Sequence, residues 1–272
     1  MRANLHRRDL LATAPAAGLA LLGLGGAVRA QTAEPAKPAP AAWPNFPHQD
    51  PALVRGLVGA AHRDEARVRD LIDAHPALVN AAWDWGFGDW ETPLGAAAHT
   101  GRRNIAELLI SRGARVDLFA AAMLGWTDTV KAATAASPGV QRALGPHGLT
   151  LLHHARAGEA AAEGVVAHLE ALGNADTRPS SMPLAESARA QYEGTFAYGA
   201  APGERFTVRS AKQGMEFVHG EKGPIRLTMV TDGEFTPAGA PAVRFRFSVR
   251  DGTAQRAVIT DHDLIVTGVR AG

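Results

Sequence analysis

The chain has 272 residues, a formal net charge of +1 and no cysteine. The length allows two modest domains, and the near-neutral charge produces no overall field that would favour nucleic acid or an acidic membrane. Because cysteine is absent, disulfides and thiolate metal sites are excluded.

Residues 1–30 predict an export signal. The arginine pair Arg7-Arg8 precedes a weakly apolar run at 10–28, and Val28-Arg29-Ala30 offers a cleavage sequence. This order is typical of a secretory signal. The adjacent arginines resemble a twin-arginine signal, with an ordinary secretory signal as the alternative. We expect a mature start near Gln31, a Pro- and Ala-rich tether over 31–48, and a periplasmic or extracytoplasmic location.

The most specific motif lies at residues 92–117, where Thr-Pro-Leu-Gly-Ala-Ala-Ala-His-Thr-Gly is followed by aliphatic residues at spacings of three and four. This segment resembles an ankyrin repeat. We expect Thr92 to cap a helix whose first residue is Pro93, and Gly101 to end that helix in a left-handed conformation.

Weaker copies of the motif flank this segment. The anchoring alanines are separated by steps of 37, 24 and 34 residues, compared with a family period of about 33; they are Ala60, Ala97, Ala121 and Ala155. The resemblance implies an ankyrin-repeat helical solenoid of about four repeats over residues 49–177, which would bind a protein or peptide.

The longest step leaves an enlarged turn at residues 83–91, here named the finger. It contains three of the five tryptophans of the chain, interleaved with glycines and acids. Such a composition is typical of a binding hot spot; the alternative is a hydrophobic cluster that fastens the turn to the helices. The predicted partner-contact residues are Trp83, Trp85, Phe87, Trp90 and Trp126.

The sequence predicts no metal site, no cofactor and no catalytic residue. Adjacent residues on a helix point about 100° apart, so His153 and His154, with His168 downstream, form a poor chelating group. Asp261-His262-Asp263 is interpreted as a polar turn. The chain contains no Gly-x-Ser-x-Gly elbow, no Ser-x-x-Lys motif and no phosphate loop, which argues against the common hydrolase and nucleotide-binding sites.

A different pattern follows a linker at 178–191, in which one short helix is expected. Over residues 243–250, apolar residues alternate with polar ones, mostly arginine, which predicts a half-buried strand with an arginine-rich outer face. About seven such strands predict a small antiparallel β-barrel-like or half-barrel domain over 192–272. The fold class expected for the chain is therefore α+β multidomain, an ankyrin-repeat solenoid followed by this β-domain.

The opening of the β-domain carries a second resemblance. Tyr192-Glu193-Gly194-Thr195-Phe196, a turn, alternating strands and a late phenylalanine-containing strand resemble the small accessory domain at the C-terminal end of some serine β-lactamase-like hydrolases. The resemblance implies a module that packs beside a partner or closes over a small apolar ligand. It implies no catalytic residue, because that family's chemistry resides in another domain.

Together these patterns predict an exported, non-catalytic scaffold protein that binds a protein or peptide through its repeats and finger, with no nucleic acid and no membrane span in the mature chain. Two alternatives stay open. One is a small-molecule or lipid binder with a small apolar ligand in the β-domain, held between Phe206, Phe217, Phe245 and Phe247. The other is a hydrolase with an unrecognised site.

Overall fold

The computed structural model describes residues 47–177, 180–212, 214–220 and 223–272, all within one compact unit. The predicted export signal and nearly all of the predicted tether lie outside these residues. None of the helices in the described ranges is long and apolar enough to cross a membrane.

The first half of the described chain is mainly helical, with one short β-ribbon. Its elements are α1 Pro51–Ala61, α2 Glu65–Ala74, β1 Trp83–Asp84, β2 Trp90–Glu91, α3 Pro93–His99, α4 Arg103–Ser111, α5 Leu118–Met123, α6 Thr127–Ala136, α7 Leu151–Ala157 and α8 Glu163–Ala171. Short 3-10 turns at Pro76–Asn80 and Pro146–Gly148 lie between successive helix pairs.

The helix ends follow from local chemistry that the sequence predicted. Thr92 Oγ1 accepts a hydrogen bond of 3.0 Å from the backbone N–H of Gly95, and Pro93 occupies the first helical position of α3. Gly101 follows the helix with φ of +68°, and a Cβ there would lie 2.4 Å from the carbonyl oxygen of Ala157. Only glycine meets both conditions, so these predictions are confirmed.

The predicted fold class is nevertheless wrong in the helical half, where no ankyrin solenoid is indicated. Helix lengths run from eleven residues in α1 to six in α5. In a solenoid each repeat contacts only its neighbours, whereas α3 contacts α7 as well as α1 and α5. The unequal steps between the alanine anchors explain the departure, because unequal units cannot stack through identical interfaces.

The second half is a closed antiparallel barrel of eight strands. Of the two predicted alternatives the barrel is therefore confirmed and the half-barrel is wrong, and the general α+β content is also confirmed. A short helix, α9 Glu186–Arg189, precedes it. The strands are β3 Gly194–Ala197, β4 Arg205–Ala211, β5 Gly214–Val218, β6 Pro224–Thr231, β7 Glu234–Pro237, β8 Arg244–Arg250, β9 Thr253–Asp261 and β10 Leu264–Arg270. Each strand pairs with the next, and β10 pairs with β3, with Val269 opposite Ala197.

The alternation predicted for β8 holds for most of the strand and then fails. Phe245 is fully buried, but Val249 is exposed. The register of β8 against β9 shifts between Ser248 and Val249. Such a bulge changes the face that the following residues present, which explains the exposure.

The arginine-rich outer face of β8 is already paired within the barrel. Arg244 Nε and Arg246 Nε lie 3.1 Å and 2.6 Å from the two carboxylate oxygens of Glu234 on β7. Two arginines of the predicted outer face are therefore paired with a carboxylate of the neighbouring strand.

The finger joins the two halves of the molecule. At its tip the ring of Phe87 packs against the rings of Phe217 and Phe245, with centroids 5.5 Å and 5.7 Å apart. Trp85 packs on the helical core at the base of the finger. The finger therefore reaches from the helices to the barrel core.

Candidate metal centre

Four side chains from different elements converge beside the finger. His62 caps the C-terminal end of α1, Glu91 ends β2, His99 is the last residue of α3 and His147 lies in the 3-10 turn before α7. One potential ligand atom from each lies within 4.8 Å of all the others. Glu91 is completely buried, whereas the side chains of His62 and His147 remain partly exposed.

The three imidazoles present the same nitrogen to the carboxylate. The Nε2 atoms of His62, His99 and His147 lie 3.6, 2.8 and 3.4 Å from the nearest Glu91 oxygen. The Nε2 atoms of His62 and His99 are 3.2 Å apart. A tetrahedral ion with bonds of about 2.0 Å would separate its ligand atoms by about 3.3 Å, so the spacing suits a common metal ion.

The orientation of Glu91 supports the same interpretation. Its Oε1 atom is buried and faces His99 Nε2 at 2.8 Å and His147 Nε2 at 3.4 Å. Where these nitrogens carry no proton, the oxygen has no donor, and a buried polar atom without a partner is costly. A cation between these atoms would satisfy the carboxylate oxygen and the imidazole nitrogen together.

Further contacts hold the ligands in this orientation. His62 Nδ1 lies 3.0 Å from the carbonyl oxygen of Val58, and His147 Nδ1 lies 2.9 Å from Asp89 Oδ2. Trp85 Nε1 donates a 2.9 Å hydrogen bond to Glu91 Oε2. Hydrogen bonds at Nδ1 direct Nε2 of each ring towards Glu91, and such outer contacts are typical of metal-binding histidines.

The backbone at His147 is strained in a way that fits a functional role. His147 has φ of +60°, a region that residues other than glycine seldom adopt. Asp89 stabilises this turn by accepting hydrogen bonds from both the backbone N–H and the Nδ1 of His147. Strain maintained by surrounding contacts is common at binding sites.

The charges in the cluster are strongly coupled. Burial alone would raise the pKa of Glu91, but the imidazoles of His147 and His99 beside it outweigh burial and lower the pKa to about 2. Burial would lower the pKa of His147, but contacts with Asp89 and Glu91 raise it to about 10. Burial lowers the pKa of His62. Without an ion, the protonated His147 therefore balances the charge of the ionised Glu91 carboxylate, and a metal ion bound here would displace that proton.

The structure separates the five aromatic residues that were predicted to bind a partner. Trp83 and Trp85 are half-buried against the helical core, and Phe87 is half-buried against the barrel core. Trp90 and Trp126 are 61% and 42% exposed. The first three therefore join parts of the protein to one another, and only the last two offer large surfaces to a partner.

Sequence reasoning singled out none of the four members of this candidate metal cluster. They lie far apart along the chain, so no local spacing links them. One signal was present: His62 follows Ala60-Ala61 as His99 follows Ala97-Ala98, at the same step of 37 residues. The alignment that suggested repeats therefore already placed two histidines at equivalent helix ends.

The histidine group considered from the sequence does not converge. The Nε2 of His153 lies 3.2 Å from the backbone oxygen of His99, His154 Nδ1 donates to the carbonyl oxygen of Thr150, and His168 lies 2.9 Å from Thr134 Oγ1. His262 lies 3.0 Å from Asp261 in an exposed turn between β9 and β10.

The buried His154 leads to a prediction about stability and pH. Burial lowers its pKa from 6.5 to about 4, so the unfolded chain binds this proton at a higher pH than the folded chain. The contribution is fully present above pH 6.5 and is lost as the pH falls towards 4, by about 3 kcal/mol in total. Urea unfolding of wild type and His154→Leu should show a shallower pH dependence for the variant; equal slopes would contradict this assignment.

Comparison with protein-family models and with curated proteins finds no match for this chain. Neither the ankyrin resemblance nor the resemblance to a β-lactamase-like accessory domain is identified by a family model.

Proposed function

We propose that this protein binds one divalent transition-metal ion through His62, Glu91, His99 and His147, and that its function depends on that ion. The observation that carries the proposal is the convergence of three Nε2 atoms on a buried, ionised carboxylate. Imidazole nitrogen suits Zn²⁺, Fe²⁺, Cu²⁺ and Ni²⁺, whereas Mg²⁺ and Ca²⁺ prefer oxygen ligands.

The surroundings support a functional site that a ligand can reach. A cleft of about 270 Å³ adjoins the cluster and is lined by His147, Asp89, Trp85 and Arg226. A catalytic ion keeps a coordination position for water or substrate, whereas a structural ion is fully enclosed by protein. A position facing this cleft would admit an oxygen ligand, and the exposed Arg226 would favour one that carries negative charge.

Partner binding is a second proposal, supported by the exposure of Trp90 and Trp126. Trp90→Ala and Trp126→Ala should weaken capture of a partner without changing the melting temperature. Loss of stability in both variants, with no change in the proteins captured, would count against it. The exported location stays a prediction, because the signal lies outside the described residues.

The metal proposal is tested by calorimetric titration of Zn²⁺ into the chelator-treated mature chain. We expect one ion per chain for the wild type and no binding at this site for His99→Ala. The matched control is His262→Ala, which removes an exposed histidine beside Asp261 on the barrel and should bind as the wild type does. Mg²⁺ should give no binding. Equal binding by His99→Ala and wild type would overturn the proposal.

The role of Asp89 as a positioning residue leads to a separate prediction. Asp89→Asn keeps the side-chain shape but places an amide group near His147 Nδ1, which disfavours the tautomer with a free Nε2. Loss of such an outer contact typically costs 10–100-fold in metal affinity. Zinc titration should show this decrease with one ion still bound per chain. Unchanged affinity would show that Asp89 does not orient the ligand.

A further inference from the structure

A second cavity lies at the mouth of the barrel, where the finger meets strands β5, β6, β9 and β10. Its volume is about 340 Å³, which falls in the size range of small-molecule sites. The walls are mainly apolar and are formed by Trp85, Phe87, Phe206, Phe217, Ile225 and Val266. The helical and barrel halves therefore both contribute to this cavity.

The cavity lies at the edge of a barrel interior that aromatic rings already fill. Phe206 and Phe217 contact each other with centroids 5.4 Å apart, and Phe217 contacts Phe245 at 5.2 Å. Phe87 of the finger packs against the last two of these rings. Of the four phenylalanines that the sequence placed around a ligand, Phe206 and Phe217 line this cavity, whereas Phe245 and Phe247 do not.

The finger sets one wall of the cavity through close contact. Gly86 has φ of +130°, and a Cβ at this position would lie 2.8 Å from Ile225 Cδ1. The backbone of the finger therefore lies directly against β6. Trp85 and Phe87 flank Gly86 in the chain, so this contact with β6 helps to hold both side chains in the wall of the cavity.

Few of the residues that line the cavity are polar. Tyr198 Oη lies 2.9 Å from His219 Nε2, and both residues line the cavity. Asp261 also lines it, and the Oδ1 atom of its carboxylate lies 3.0 Å from His262 Nδ1. An anion beside the Asp261 carboxylate would be repelled, whereas a hydroxyl could donate to it.

We propose that this cavity binds a small, uncharged, mainly apolar molecule that carries one hydroxyl group. At about 30 Å³ for each water-sized group, the volume holds on the order of ten non-hydrogen atoms. A medium-chain alcohol has this size and chemistry. The proposal does not depend on the metal centre, because none of the four metal-binding residues lines the cavity.

The experiment uses octanol as the probe and octanoate as its anionic counterpart, titrated calorimetrically into the mature chain with and without Zn²⁺. We expect saturable binding of octanol, at least tenfold tighter than that of octanoate. Val266→Trp places an indole in the cavity and should abolish octanol binding. Thr267→Trp is the matched control: the next residue of β10 points to the opposite face of the strand and is exposed, so binding should persist.

Three outcomes would overturn this proposal: no saturable octanol binding by the wild type, equal binding by Val266→Trp and wild type, or octanoate binding as tightly as octanol. Circular dichroism of both tryptophan variants should match that of the wild type. If Val266→Trp unfolds, Ile259→Phe reduces the same cavity from the neighbouring strand and is expected to weaken octanol binding at least tenfold. These results are distinguishable from failure of the metal proposal, because octanol binding is measured with Zn²⁺ absent as well as present.

Discussion

Replacing Glu91 with glutamine is expected to remove metal binding while leaving the helical half and the barrel folded. Glutamine preserves the size of a completely buried side chain but removes the negative charge that faces three imidazoles. Because Glu91 is a direct ligand, the loss of affinity should exceed the 10–100-fold typical of outer contacts. Zinc titration of the chelator-treated variant measures this loss.

Stability provides an independent readout of the same substitution. Zn²⁺ at about a thousandfold above its dissociation constant should stabilise the wild type by about 4 kcal/mol, seen as a higher melting temperature. Glu91→Gln should show no such rise. Glu107→Gln is the matched control, since Glu107 is exposed on α4 and pairs only with Arg103 in the described contacts. A full rise in melting temperature for Glu91→Gln would contradict its role as a ligand.

The second large effect is expected at the tip of the finger. Phe87→Ala removes a ring that packs against Phe217 and Phe245 and leaves a space between the finger and the barrel core. Truncation of a buried phenylalanine costs 3–5 kcal/mol; because Phe87 is only half-buried, we expect about 3 kcal/mol. Urea unfolding measures the change in the free energy of unfolding.

The control for this substitution lies in the same finger. Trp90 is 61% exposed, so Trp90→Ala should change the free energy of unfolding by no more than about 0.5 kcal/mol. Similar losses for both variants would mean that the finger is stabilised as a whole rather than through the contact of Phe87 with the barrel.

Local features of the fold could be predicted from the sequence because neighbouring residues determine them. The cap at Thr92, the left-handed glycine at Gly101 and the burial of Phe245 each depend on a few residues and their spacing. The strand pattern after Tyr192 also predicted a β-rich half. The cap and the glycine depend on local backbone geometry, and the strands depend on the alternation of apolar and polar residues with a period of two.

The larger arrangement could not be predicted in this way. The barrel closes because β10 pairs with β3, and these two strands are distant in sequence. No local sequence pattern predicts that pairing. The ankyrin expectation failed because a motif that is regular at 92–117 was extended to units of unequal length. Contact between α3 and α7 is a property of the assembled helices.

The candidate site was missed for a related reason. His62 and His99 were visible at equivalent helix ends, but Glu91 was interpreted only as part of the finger, and His147 was not singled out. Glu91 is completely buried and meets His62, His99 and His147, which come from three different elements of the helical half. The finger was singled out for its tryptophans, whereas the proposed metal centre uses its last acid, Glu91.

The most direct test of the metal centre is anomalous diffraction from crystals of the mature chain grown with Zn²⁺. We predict one anomalous peak with the Nε2 atoms of His62, His99 and His147 and a carboxylate oxygen of Glu91 about 2.0–2.2 Å away. A map without a peak among these four side chains, at zinc concentrations that saturate the titration, would contradict the assignment.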